Sequence, residues 1–170
     1  RVAKAVEALA LSHAVITSVN RDELPDGGAA IFAETIEAVR RRNSETNIEV
    51  LIPDFMGNWN SLQTVVEARP VVLNHNTETV PRLYPRVRPK ARYTRSLELI
   101  SRAAGLSSEL TTKSGVMVGL GESRDELRAT FADLVSHGCQ LLTVGQYLQP
   151  TLKHAVVDRF YHPDEFAEIA

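Results

Sequence analysis

The sequence predicts an α/β fold, a partial parallel β/α barrel of about five βα units, on three observations. Short apolar, β-branched runs alternate with amphipathic stretches along the whole length, the pattern of parallel strands joined by crossover helices. The residues that follow each strand are polar or glycine-rich while the opposite ends are ordinary loops, which places a working site at one rim. The 170 residues are 44% hydrophobic, enough for the core of a single domain spanning 1–170. Periodicity by itself leaves a doubly wound sheet open beside the barrel, since both architectures bind ligands at the carboxyl ends of parallel strands.

The elements follow in order. The first residues read as a helix with Val2, Val6 and Leu9 on one face. Five strands are expected at 13–18, 48–52, 71–74, 115–120 and 141–145, each short enough to be buried on both faces. The helices between them show the other period: Ala29, Phe32, Ile36 and Val39; then Leu62, Val65 and Val66; then Leu97, Ile100 and Ala104; then Leu127, Phe131 and Leu134. Ser123 and Glu126 form a capping box at the start of the last of these. Pro163, followed by Asp164 and Glu165, suits the first turn of a further helix. An orphan helix ahead of five βα repeats implies a strand before Arg1, so the expectation is a domain cut at both ends.

Composition excludes some classes. A net charge of −2 argues against a protein that coats nucleic acid. No apolar run approaches the length of a membrane span, and no leader pattern is present; a cytoplasmic protein is expected, or one of an organellar matrix or stroma. The single cysteine, Cys139, forms no internal disulfide and holds no cluster alone. The P-loop, HExxH, GxSxG and GxGxxG signatures are all missing.

The strand ends carry the chemistry. They read Thr17-Ser18-Val19-Asn20 running on to Asp26-Gly27-Gly28, then Pro53-Asp54-Phe55-Met56-Gly57, Asn74-His75-Asn76-Thr77-Glu78, Gly119-Leu120-Gly121-Glu122, and Gly145-Gln146-Tyr147-Leu148. Each piece also has a plain reading. The glycine pair suits a turn into a helix, and His75 suits a satisfied buried histidine better than a metal ligand. Cys139 reads as a small buried side chain. The stretch Arg82, Arg86, Arg88, Lys90, Arg92 and Arg95 reads as a solvated surface, dense enough to recognise carboxylates or an acidic partner.

Taken together, the strings VITSVNRDELPDGGA (15–29), EVLIPDF (49–55), NHNTETVPRLY (74–84), VRP (87–89), TKSGVMVGLGE (112–122) and GQYLQP (145–150) resemble the lipoyl synthase family from about His13 to Phe166. The run 115–122 is similar to the GxIxGxxE pattern of radical S-adenosylmethionine enzymes, with Met117 in the apolar slot. Asn-His-Asn is similar to the same strand end in biotin synthase. The resemblance implies a radical sulfur insertion. A [4Fe-4S] cluster reduces S-adenosylmethionine, the resulting adenosyl radical takes hydrogen from an octanoyl chain held on a carrier lysine, and a second [4Fe-4S] cluster donates sulfur to C6 and C8. The implied partners are an octanoylated lipoyl carrier domain or H protein and an electron donor such as ferredoxin or flavodoxin, with no nucleic acid and no membrane.

By the same resemblance, Thr17, Ser18 and Asn20 stand where the methionine amino and carboxylate groups are held, with Arg88 and Arg95 as carboxylate partners. Asn76 and Glu78 meet the ribose or substrate, Met117, Val118 and Gly119 line the adenine, and Glu122 organises the turn. Tyr147 and Leu148 offer backbone contacts. No residue is expected to act as a general acid or base. The sequence departs from the family in lacking the two cysteine motifs and the C-terminal RSS segment that bind the clusters, in Asn20 where aspartate is common, and in Thr77 where isoleucine is common. By that reading the chain carries neither cluster and is inactive alone. The competing readings are a biotin synthase-like sulfur inserter, a non-catalytic nucleotide- or carrier-binding barrel fragment, and an aldolase using Lys113.

Overall fold

In the computed structural model, which describes residues 1–169, the apolar spacing becomes packing. Helix α1 is Val2–Ala8, followed by strand β1 at His13–Thr17; α2, Ala29–Arg42, leads to β2, Asn47–Leu51. Helix α3, Trp59–Glu67, precedes β3, Val72–Asn74. After a short 3-10 turn at Pro81–Leu83 come α4, Tyr84–Val87, and α5, Tyr93–Leu106, then β4, Thr111–Val118. Helix α6, Arg124–Ser136, β5, Leu141–Gln146, and α7, Pro163–Ile169, follow.

All four strand pairings are parallel, and the spatial order is β1-β2-β3-β4-β5. A doubly wound sheet reverses its strand order at a switch point; a sequential order is that of a barrel wall, so the sheet resolves the alternative that periodicity left open. β4 starts four residues before the expected Gly115, because Thr111 to Lys113 pair with β3 and Lys113 and Ser114 already pair with β5. That stretch is polar, and the reading by apolar runs passed over it.

One face of the sheet packs on the helices. Ala29, Phe32, Ile36 and Val39 of α2 are buried, as their spacing requires, and join Leu62 and Val65 of α3 and Ile48, Val50 and Leu73 of the strands in one core cluster. Removing a branched side chain of this size from water contributes roughly 1.5–3 kcal/mol. A second cluster joins Val116, Val118, Leu120, Leu127, Leu134 and Tyr147. In α5 it is Ala103, rather than the expected Ala104, that is buried. By strand alternation Glu49, Leu51, Lys113 and Gly115 lie on the other, concave face. There Lys113 Nζ is 2.9 Å from Glu49 Oε1, and His13 Nε2 is 3.3 Å from Glu49 Oε2.

The parallel register puts every strand's carboxyl end at one rim, and side-chain ties join its loops. Asp26 accepts from the Gly28 and Ala30 amides at the start of α2. Gly27, at φ +60°, lies so close to Phe55 that a Cβ there would sit 2.9 Å from the ring, and Asn58 Nδ2 donates to Pro25 O. The two loops after β1 and β2 are thereby locked together. The Asp26-Gly27-Gly28 turn is thus both a helix start and a close approach between loops.

Candidate functional site

At this rim lies an open cavity of about 410 Å³, within the size range of small-molecule sites. Thr17 lines it from the end of β1 and Ser18 and Asn20 from the loop that follows; Leu51 to Asp54 and Met56 from β2 and its loop; His75, Asn76 and Glu78 from the residues after β3; and Arg88 to Ala91 from the segment before α5. Six of the thirteen residues named from the sequence therefore meet in one place: Thr17, Ser18, Asn20, Asn76, Glu78 and Arg88.

The end of β3 is the best-anchored part of the wall. The His75 ring is buried, with Nδ1 3.0 Å from Ile52 O and Nε2 3.0 Å from Ser96 Oγ. A carbonyl only accepts, so Nδ1 carries the proton and Nε2 accepts from the serine hydroxyl. Burial pushes the His75 pKa below its ordinary value, outweighing the opposing pull of its bond to Ile52. His75 is thus a satisfied neutral histidine that ties β2, β3 and α5 together. Glu78 stands at φ +70°, held there because its amide donates to Gly115 O at 2.8 Å and its carbonyl accepts from Met117 N at 2.7 Å. A non-glycine residue in the left-handed region is uncommon and costs of order 1–3 kcal/mol. Here two ladder bonds fix it and aim the carboxylate at the cavity.

Among the described residues, neither the Asn76 amide nor the Glu78 carboxylate has a hydrogen-bond or ion-pair partner from its side chain. Gly115 makes room for the Asn76 side chain, since a Cβ at that glycine would lie 2.7 Å from Asn76 Oδ1. Two residues back along β3, Asn74 Oδ1 is buried with no partner. Arg88 Nη1 donates to Asn76 O at 3.0 Å, and its guanidinium lies 5.7 Å from the centroid of the Tyr84 ring. It has no carboxylate partner among the described residues, so its charge faces the cavity uncompensated.

The other named residues are placed differently. Arg95 is committed to Asp54, with Nη1 3.0 Å from Oδ2. Met117 is half-buried beside Glu78. Val118 is fully buried in the outer core, so only its backbone reaches the rim. Gly119, at φ +97°, has no room for a side chain, because a Cβ would meet Gln146 and Arg159 O. Glu122 closes the turn, its two carboxylate oxygens accepting from the Gly119 amide at 2.7 Å and the Leu120 amide at 2.9 Å, and Tyr161 OH donates to it at 2.9 Å. The Tyr147 peptide is already bonded: its amide donates to Val118 O and its carbonyl accepts from Gln146 Nε2. Leu148 is exposed.

Asp22, Asp54, Met56 and Lys90 line the cavity as well; the sequence shows them only as members of a strand end or of the basic stretch, with no role of their own. Their signal was position alone, since each lies in a segment that follows a strand. Met56 stands with Phe55 at positive φ, a geometry no composition rule anticipates for two bulky residues.

The donor set also tells what the chain lacks. Cys139, at the turn before β5 and so at the opposite end of the strands, donates to Leu141 O at 3.1 Å, and burial pushes its thiol up. Among the described residues, no group of three or more His, Cys, Asp or Glu side chains is placed to hold a metal ion. Lys113 Nζ is committed to Glu49, which disfavours Schiff-base chemistry there. No helix is long and apolar enough to cross a membrane among the described residues.

Comparisons with known proteins agree on a family. Residues 1–134 match the family model of the Radical SAM superfamily. The chain is 56% identical to the lipoyl synthase of Halalkalibacterium halodurans over 99% of its own length and 56% of that protein. It is 57% identical to that of Desulfotalea psychrophila over 98% of the chain and 56% of the relative. The chain thus spans about half the length of the curated relatives it matches. Among solved structures, methylornithine synthase superposes with a TM-score of 0.71 at 13% identity, covering 92% of this chain and 47% of that one. Coproporphyrinogen III oxidase from Escherichia coli, described as a radical SAM enzyme, gives 0.66 at 12% identity over 98% and 42%. At such identities the likeness concerns the fold alone.

Proposed function

Because the chain belongs to the Radical SAM superfamily, we propose that it forms the barrel domain of a lipoyl synthase, residues 1–170 constituting one domain. The reaction proposed for the intact enzyme is insertion of two sulfur atoms at C6 and C8 of a protein-bound octanoyl-lysine. The observation that carries this reading is the pair of unpartnered polar groups, Asn76 and Glu78, fixed at the rim of a cavity in a chain more than half identical to lipoyl synthases.

The residues present fit S-adenosylmethionine. Its two ribose hydroxyls need one partner that both donates and accepts and one that accepts, and the Asn76 amide and Glu78 carboxylate supply these. Arg88 offers positive charge to the methionine carboxylate, and Thr17, Ser18 and Asn20 offer hydroxyl and amide groups to the amino acid end. Met117 gives an apolar surface to the base, and Val118 and Gly119 offer backbone only, in a turn shaped by Glu122. Tyr147 and Leu148 are assigned backbone contacts at the adenine edge, of which the Leu148 peptide is the freer. Arg95 acts through Asp54. When bound and reduced, S-adenosylmethionine supplies the carbon radical that abstracts hydrogen from unactivated carbon. The chain's own part is to orient that cofactor and to keep water from it with the wall formed by Ile52, Pro53 and Met56.

The residues present do not fit the two [4Fe-4S] clusters of the proposed reaction: one thiol at the far end of the strands furnishes no ligand set. Their ligands therefore come from outside these residues, and the chain alone is proposed to be inactive. The substrate is proposed to arrive on an octanoylated carrier domain or H protein, with electrons from ferredoxin or flavodoxin, in the cytoplasm or an organellar matrix.

The test is product formation by the enzyme that contains this chain, assembled anaerobically with its clusters. Incubation with an octanoylated carrier should yield lipoylated carrier and 5′-deoxyadenosine. Turnover of the sulfur-free precursor of biotin, with no reaction on the octanoyl carrier, would move the assignment to a biotin synthase-like enzyme.

A further inference from the structure

The stretch from Arg82 to the first turn of α5 at Arg95 holds six of the chain's 19 Lys and Arg residues and contains no Asp or Glu, in a protein whose net charge is −2. Two of the six are neutralised within the fold. Arg82 forms a two-point pair with Glu126, at 2.6 and 2.9 Å, and Arg95 pairs with Asp54. The other four, Arg86, Arg88, Lys90 and Arg92, have no carboxylate partner among the described residues. Arg86, Lys90 and Arg92 are exposed. Arg86 Nη2 donates to Leu120 O at 3.2 Å, which carries the positive charge across from the end of β3 to the end of β4. Arg88, Pro89, Lys90 and Ala91 are at the same time lining of the cavity. The charge therefore borders the opening through which a substrate must enter.

We infer that this basic rim is a docking surface for an acidic protein domain, the carrier that delivers the octanoyl-lysine. The inference rests on the function proposed above and adds to it where the carrier binds. Continuity decides the role: a partner held by Arg86, Lys90 and Arg92 has the cavity mouth within reach of an attached side chain. The exposed groups decide the partner's chemistry. Recognition of single-stranded nucleic acid needs aromatic rings on which bases stack, but Tyr84 is buried and Tyr93 OH is committed to Asp133 at 2.7 Å. Attachment to an anionic membrane is strengthened by apolar side chains that enter the bilayer boundary, but Leu83 is buried and Val87 packs against the core. What remains exposed is charge and the rings of Pro81, Pro85 and Pro89. Three prolines fix the backbone before the partner arrives, so little conformational entropy is lost on docking. Charge of one sign on a stiff support favours a folded acidic surface, with fast, salt-sensitive encounter.

The experiment uses the cluster-replete enzyme that contains this chain and compares it with a variant carrying Arg86→Glu and Arg92→Glu, leaving the cavity-lining Arg88 and Lys90 untouched. Two substrates are compared, an octanoylated carrier domain and a short neutral peptide bearing octanoyl-lysine, and binding of fluorescently labelled carrier is read at several salt concentrations. The expected result is a rise of at least tenfold in KM and Kd for the carrier, a loss of most of the salt dependence, and unchanged kcat and KM for the peptide. Equal effects on carrier and peptide would overturn the docking role, as would none on either. So would tighter binding of the parent enzyme to single-stranded RNA or to anionic phospholipid vesicles than to the carrier. If the parent enzyme reacts with neither octanoyl substrate, the functional reading falls and the docking role with it. If it reacts with both but the variant behaves like the parent, the docking role alone falls.

Discussion

Replacing Gly115 with alanine is expected to weaken S-adenosylmethionine binding while leaving the fold nearly as stable. Gly115 lies within β4 at an ordinary backbone angle, so the substitution carries no conformational penalty of its own. The new Cβ would stand 2.7 Å from Asn76 Oδ1 and 3.2 Å from both Asn76 Cγ and Thr143 Oγ1. The first contact is too close to persist, and the Asn76 amide, the end of a short side chain, has to turn away. Removing a glycine from the unfolded chain stabilises by about 0.4–1 kcal/mol, which offsets a displacement of similar cost. Global stability should therefore change by about 1 kcal/mol or less. The ligand loses one or two hydrogen bonds of about 0.5–1.5 kcal/mol each. With 1.4 kcal/mol equal to a factor of ten, affinity should fall between roughly twofold and a hundredfold. Calorimetric titration with S-adenosylmethionine and thermal unfolding, run on the same cluster-replete preparation, separate the two effects. Unchanged affinity would refute the placing of Asn76 against the cofactor, and a collapse in melting temperature would mean that Asn76 serves the fold instead.

Other outcomes can be checked. Glu78→Gln should lower cofactor affinity by roughly three- to a hundredfold through loss of a charged acceptor with little change in melting temperature, measured in the same two assays. Gly119→Ala should destabilise by about 2–5 kcal/mol in denaturant titrations, from left-handed strain and the clash with Arg159 O, whereas Gly105→Ala, with open space around it in α5, should stabilise by about 0.5–1 kcal/mol. His75 titrates below its usual range in the fold, so its linkage is absent above the unfolded value near 6.5 and grows as pH falls, when the unfolded chain takes up a proton that the fold refuses; stability should decline by up to about 1.4 kcal/mol per pH unit below 6.5, and His75→Asn should flatten that slope in pH-dependent unfolding curves. Iron and sulfide analysis of the chain alone after anaerobic reconstitution should find no stoichiometric [4Fe-4S] cluster, and a full cluster per chain would show that ligands have been overlooked.

Strand and helix order was readable because two periods alternate cleanly: the buried set of α2, Ala29, Phe32, Ile36 and Val39, is the set its spacing named. The capping box of Ser123 and Glu126 was readable too, since both of its hydrogen bonds form. Periodicity does not encode how strands are ordered in space, and the register of β3 with β4 at Thr111 to Lys113 was hidden by polar residues, Lys113 on the concave face and Thr112 buried on the other, where its hydroxyl donates to Gly138 O. At the site, Asn76, Glu78 and Arg88 were found because they follow strands in recognisable strings. Asp54, Met56 and Lys90 lie in the quoted segments without a role of their own, because lining a cavity depends on loop conformation, here with Phe55 and Met56 at positive φ. Val118 shows the limit of reading by string: its neighbours reach the rim, but strand alternation turns its side chain into the outer core.

The ties between rim loops form an unbroken series. Gly27 meets Phe55, Asp54 pairs with Arg95, Arg82 reaches Glu126 and the Gly121 carbonyl, and Glu122 accepts from Tyr161 beyond β5. Binding loops are ordinarily the first parts of a protein to open, each on its own. Laced in this way, they lose that independence: the amides from Ser18 to Tyr161 at this rim should exchange with solvent as one cooperative unit, so that gripping a ligand at any one loop slows exchange in all of them.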